Sequence, residues 1–154
     1  MNKAVMLSIK PEWCAKIANG EKTVEVRKTR PKIEPPFKCY IYETKAESEI
    51  PWVDEDGHFI YKGRGAVIGE FVCDTIFNLS VRYSDPTSEI AFQGFPYTGM
   101  TDREIMGYLG NGKPGYGWHI SDLVIYDTPR PLTDFGLRRP PQSWCYVQEV
   151  NIKT

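Results

Sequence analysis

From residue 23 to residue 28 the chain alternates: Val24 and Val26 point one way, and Thr23, Glu25 and Arg27 point the other. That is the period-two pattern of a strand with one buried face. The same reading predicts a first strand over residues 4–9, a nearly unbroken apolar run ended by Lys10 and Pro11. Pro11 suits the first turn of a helix, which would set Trp13, Cys14 and Ile17 on one face before Asn19 and Gly20 stop it. Strand, helix and strand thus follow one another with almost no loop.

Residues 31–37, with three prolines, read as an extended connector, and residues 39–44 as a third strand. Residues 66–79 are apolar enough for a long central strand with Gly69 as a bulge or bend. An insertion is expected over 45–65: an acidic loop, a turn at Asp56-Gly57 and a short strand over 58–61. Residues 80–114 are the least sheet-like, although Thr101-Asp102-Arg103-Glu104 has the form of a capping box opening a helix to about Leu109. Residues 116–126 and 144–150 supply two further strands. The fold expected is α+β and mainly β: a small, partly closed β-barrel of five to six strands with two or more short helices.

Composition supports a folded globular chain, with 41% hydrophobic and 25% charged residues among 154. One domain over residues 1–154 is expected, with 45–65 and 80–100 as insertions. Cys14, Cys39, Cys73 and Cys145 are widely spaced, and neither a signal peptide nor a membrane-length apolar run is evident. A cytoplasmic protein with reduced thiols in its core follows as the expectation, with no membrane partner. His58 and His119 each stand alone, so neither a metal site nor a cofactor is expected.

A net charge of −1 argues against coating nucleic acid by bulk electrostatics. The distribution is less even than the total. Residues 10–32 hold seven cations against three acids, and residues 43–56 six acids against Lys45. Within the basic stretch, Lys22, Glu25 and Arg27 bring three ionisable groups of mixed sign onto one side of a short strand. The plain alternative is a solvated strand face with an ion pair of at most about 1 kcal/mol. Ser8 and Lys10, between the first strand and the helix, could share a cleft with them. His119 reads as a structural histidine, and Gln142-Ser143 as either a cleft edge or a shaped turn.

Gly20, Lys22, Glu25 and Arg27, preceded by the strand and helix that start at Leu7-Ser8-Ile9-Lys10-Pro11, resemble the G-x-K-x-x-E-x-R signature of the ASCH domain family, within the PUA-like superfamily. The resemblance extends through the strands containing Tyr40, Gly69-Glu70-Phe71 and Trp118-His119-Ile120. It implies a PUA-like barrel with a cleft between the first helix and the strand over 20–27, and an association with RNA, nucleosides or nucleotides. The ligand-binding residues so implied are Ser8, Lys10, Lys22, Glu25 and Arg27, with Trp13, Tyr42 and Trp118, and also Trp144, as aromatic platforms for unpaired bases. An enzyme is the alternative. Some relatives are amidohydrolases that remove acyl groups from N4 of cytidine using the motif Lys, a Thr three residues later and a distant Glu. Here Lys22 and Glu25 would be catalytic; Glu25 stands where that Thr would be, and Glu70 and Glu104 are candidates for the distant acid. A ribonuclease working without metal is a further possibility. The oligomeric state is left open.

Overall fold

The computed structural model describes residues 2–49, 60–80 and 98–152. Strand β1 (Lys3–Ile9) leads into helix α1 (Pro11–Ala18), β2 (Val24–Arg27) and β3 (Phe37–Glu43). Pro11 occupies the first turn of α1, where a missing N–H costs nothing, and the Lys10 carbonyl accepts from the Trp13 and Cys14 amides. Cys14 and Ile17 face the core from this helix. Gly20, at φ +87°, makes the left-handed reversal towards β2.

A short hairpin of β4 (Glu47–Glu49) and β5 (Ile60–Lys62) precedes the long β6 (Ala66–Leu79), helix α2 (Asp102–Leu109), β7 (Gly115–Arg130) and β8 (Trp144–Gln148). The expected turn at Asp56-Gly57 and residue His58 lie outside the described residues. Strand β7 outruns its expected range, continuing through Asp122, at φ +48°, and Pro129 to pair Arg130 with Val67. The thiols are free, with Cys14, Cys39 and Cys73 buried. No helix of the described residues is long and apolar enough to cross a membrane.

Six strands form one sheet in the order β2-β7-β6-β3-β1-β8, antiparallel except between β1 and β3. In β1, Val5, Leu7 and Ile9 join Cys14, Ile17, Cys39, Ile41, Phe71 and Trp118 in one core cluster. Ala4 and Met6 turn the other way, to Tyr40, Tyr42 and Phe135. Both faces of the strand are therefore buried, which is why its sequence is a continuous apolar run rather than an alternation. The bulge foreseen at Gly69 is present: against β3, Ile41 pairs with Gly69 and Tyr42 with Val67, which leaves Ile68 as the extra residue, and a Cβ at Gly69 would lie 2.5 Å from the Val124 carbonyl oxygen.

The sheet does not close by a backbone ladder, because β2 and β8 stand at opposite ends of the strand order. It curls until side chains bridge the two edges. Trp118 of β7 meets Trp144 of β8 edge to face at 5.9 Å, and the Trp144 indole N–H donates to Thr29 Oγ1 at 2.9 Å. Below this seam, Ile105 and Leu109 of α2 pack on Val26 and Leu79. The capping box that opens α2 is complete: Thr101 Oγ1 accepts from the Glu104 amide at 3.1 Å, and Glu104 Oε1 from the Thr101 amide at 3.0 Å.

Replacing Thr101 with Ala removes this cap. Urea denaturation is expected to show a loss of about 1 kcal/mol, within the ~0.5–2 kcal/mol range of such caps; an unchanged midpoint would mean that α2 is held by packing alone.

Candidate functional site

Strand β2 sits at the sheet edge with only β7 beside it, pairing Glu25 with Trp118 and Arg27 with Tyr116. Its alternation predicts one buried face, yet all four residues are buried, with Glu25 4% and Arg27 8% exposed. The polar face is covered because the curled sheet brings Ser8 and Ser143 over it, while the segment after residue 97 closes over Lys22. A solvated surface pair is thereby ruled out. The three charges form a buried network.

Arg27 has five N–H donors, and all five are engaged. Its Nε and Nη2 donate to Glu25 Oε2 at 3.2 and 2.7 Å, Nη2 also to the Ser8 carbonyl at 2.8 Å, and Nη1 to both the carbonyl and Oγ of Ser143 at 3.0 Å. Glu25 is as fully used. Its Oε2 takes the two Arg27 bonds, and its Oε1 faces the Val26 amide and Lys22 Nζ, each at 3.3 Å. Lys22, only 1% exposed, donates to the Thr98 carbonyl at 2.5 Å and pairs with Glu25, which leaves one of its three N–H donors without a partner among the described residues. Arg27 therefore works as a clasp and Glu25 as a spacer. Lys22 keeps capacity for something else.

The ionisation states follow from this arrangement. Burial pulls the Lys22 amine below its ordinary range, partly offset by the Glu25 carboxylate beside it. Burial alone would raise Glu25, but the Arg27 guanidinium and then Lys22 outweigh it and hold the carboxyl below its usual value. Two cations and one anion leave the network with a net positive charge, which favours a ligand atom that is negative or accepts hydrogen bonds.

This network floors a cavity of about 270 Å³, near the lower end of the ~300–1,000 Å³ typical of small-molecule sites. Ser8, Lys10, Trp13, Lys22, Glu25 and Arg27 all line it. Lys10 is exposed at its mouth, and the Trp13 ring centroid lies 5.4 Å from Lys22 Nζ. Ser8 spends its hydroxyl on the Pro141 carbonyl at 2.6 Å. Gln142 and Ser143 complete the rim.

Two aromatic candidates lie elsewhere. Tyr42, whose side chain points to the other face of β3, packs with Tyr40 and Phe135 in the second cluster. Trp118 is fully buried against Phe37 and Trp144, and its indole N–H has no partner among the described residues. Neither lines the cavity. Both acids considered as distant partners are also remote from it: Glu70 accepts from the Tyr126 hydroxyl and pairs with Lys38, each at 2.7 Å, while Glu104 caps α2. His119 pairs with Asp74 at 2.7 Å on the exposed outer surface.

Sequence reasoning missed Thr44, Met100 and Tyr108, which supply further walls. Tyr108 directly precedes the buried Leu109 on α2, but nothing local in the sequence ties that helix to Lys22. Thr98 was missed as well; only the Lys22 to Thr98 and Lys16 to Gly99 carbonyl bonds, the latter 3.1 Å, reveal that this segment straps the site.

The family model described as the ASCH domain matches residues 7–94. Among solved structures, ASCH from Zymomonas mobilis superposes with a TM-score of 0.64 at 18% identity, covering 95% of this chain and 88% of that one. A tyrosine-to-phenylalanine mutant of that protein gives 0.65 at 18% identity, covering 96% and 92%. A serine-to-alanine mutant gives 0.63 at 16%, covering 95% and 89%. A comparison with curated protein sequences finds no match.

Arg27→Met strands Glu25 and unfastens the Ser8 and Ser143 carbonyls. The expected cost is about 3–5 kcal/mol by urea denaturation, the range for breaking a buried pair from one side; a loss below about 1 kcal/mol would show that the clasp is dispensable. The acid side gives a second check. Since Glu25 has a lower pKa folded than unfolded, its stabilisation is complete above the ordinary value of 4.5 and is lost as pH falls through the folded value. Stability measured from neutral to acid pH is expected to fall more steeply in the unchanged protein than in Glu25→Gln.

Proposed function

The chain belongs to the ASCH domain family, and from that premise and the geometry of the cavity we propose that it binds a nucleoside unit, free or within single-stranded RNA, between α1 and the strand over 20–27. The observation that carries the proposal is the unassigned Lys22 N–H on a buried, net positive floor, with Trp13 as a flanking aromatic wall. A base could lie against the indole while a carbonyl or phosphoryl oxygen takes the lysine proton. Lys10 at the mouth suits a phosphate leaving the pocket. Arg27 and Glu25 act in this reading by fixing Lys22, since their own donors and acceptors are occupied within the protein.

Hydrolysis of a modified nucleoside is the second reading, favoured by one observation: the Lys22 amine is buried and its pKa lowered, so it loses its proton more readily than an ordinary lysine. An N4-acylcytidine would present its acyl carbonyl to that amine; the carbonyl–N4 bond would break to release cytidine, and water would then take the acyl group off Lys22 as a carboxylic acid. Glu25 is the acid nearest to Lys22 in this pocket and would have to carry the proton to the leaving amine. A metal-independent cleavage of RNA would call on the same two residues as base and acid.

A thermal-shift panel of nucleosides, N4-acetylcytidine, nucleotides and short single-stranded RNAs tests the first reading. A ligand at about 100 times its Kd adds about 2.7 kcal/mol, which for a chain of this size raises Tm by several degrees. At least one nucleoside-containing compound is expected to do so, with the shift lost in Lys22→Met; a panel that moves nothing, or shifts unaffected by Lys22→Met, would refute it. Chromatography of the same mixtures after incubation shows whether cytidine or shortened RNA accumulates, which decides between binding alone and turnover.

A further inference from the structure

The seam between the two ends of the sheet is lined by cations and aromatic rings over a stretch that the pocket does not use. Residues 28–32 run along one side and β8 along the other, and neither stretch contains an Asp or Glu. The path starts at the pocket wall, where Lys28 Nζ lies 5.1 Å from the Tyr108 ring centroid. It continues where Trp144 bonds Thr29, and then where the Lys32 amide donates to the Tyr146 hydroxyl at 2.8 Å. It ends at Lys3, whose Nζ sits 4.8 Å over the Tyr146 ring. Trp144 and Tyr146 meet edge to face at 5.3 Å, so the rings form a continuous ridge between the cations.

Lys3, Lys28 and Lys32 are exposed and Arg30 is half-buried. No carboxylate is paired with any of the four among the described residues. In a chain with a net charge of −1, the three cations of the acid-free stretch 28–32, with Lys3 of β1 at the far end, make a local anion-binding line, and the rings of β8 give bases a surface to lie on. We propose that this seam is the track for the nucleotides that flank the one held in the pocket, so that the preferred ligand is a single-stranded RNA several nucleotides long rather than a free nucleoside. The inference rests on the proposal that the pocket takes a nucleoside unit. The division of labour is physical: the pocket grips one base, and the seam adds charge contacts to the backbone leading from it.

The test compares uridine monophosphate with a fluorescently labelled eight-nucleotide oligouridine, titrated from about 50 to 200 mM salt. The unchanged protein is set beside the triple variant Lys3→Gln/Arg30→Gln/Lys32→Gln, whose melting curve verifies its fold. The oligonucleotide is expected to bind the unchanged protein at least tenfold more tightly than the monophosphate. In the triple variant the slope of log K against log salt should become shallower by about 2, at ~0.7 per phosphate contact for single strands, while the affinity for the monophosphate stays unchanged. Equal affinities for the two ligands, or a variant with the same salt slope, would overturn the track and leave the pocket standing. Failure of the unchanged protein to bind the oligonucleotide would overturn the track, the pocket being judged by the nucleoside panel. A triple variant weakened equally towards both ligands would also overturn it, by showing that these cations serve the pocket and not a track beyond it.

Discussion

The buried pairing of Arg27 with Glu25 is the interaction on which the rest of the architecture turns. A curled sheet of six strands has two loose ends, and here the guanidinium joins them: it holds Glu25 and, through the carbonyls of Ser8 and Ser143, reaches across to β1 and the start of β8. The cost of taking three charges out of water is met by filling every hydrogen-bonding position of the arginine and the carboxylate. Once these two are fixed, Lys22 has one place to go. It lies between Glu25, the Thr98 carbonyl and the wall formed by Trp13.

That ordering separates architecture from chemistry within one motif. Three charged side chains at neighbouring positions invite the idea that all three meet a ligand. Counting donors and acceptors says otherwise: two are consumed by the fold and one retains capacity. The lysine is also the group that burial moves most usefully, since an amine held below its ordinary pKa can serve as a donor when charged and as a nucleophile when neutral. The pocket thus offers an incoming molecule a positive floor, an aromatic side and a polar rim. What it lacks, among the described residues, is a second acid beside Glu25.

Much of this was readable in the chain because local rules and global fold agree. The apolar run of β1, the proline that starts α1, the bulge at Gly69 and the capping box at Thr101 each follow from short-range patterns, and each stands where its pattern puts it. The site was legible only in part. Alternation in β2 shows which residues share a face but not what covers that face, and the cover comes from Ser8, Thr98 and Ser143, up to 116 positions away in the chain. Tyr42 and Trp118 show the same gap from the other side. An aromatic residue on a strand looks alike whether it faces a cleft or a core, and both belong to cores because β3 and β7 are covered on the faces that these rings occupy.

A sheet fastened at its seam by side chains still has two edge strands, and edges are where chains recruit one another into aggregates. Here the edges are four and five residues long, with the Ser143 carbonyl just ahead of β8 taken up by Arg27 and cations standing alongside at Arg30, Lys32 and Lys3. A second molecule approaching to extend the sheet would meet too little free backbone and too much like charge. The unfinished barrel thereby gains, from the clasp and the cations beside it, a guard against polymerising through its own opening.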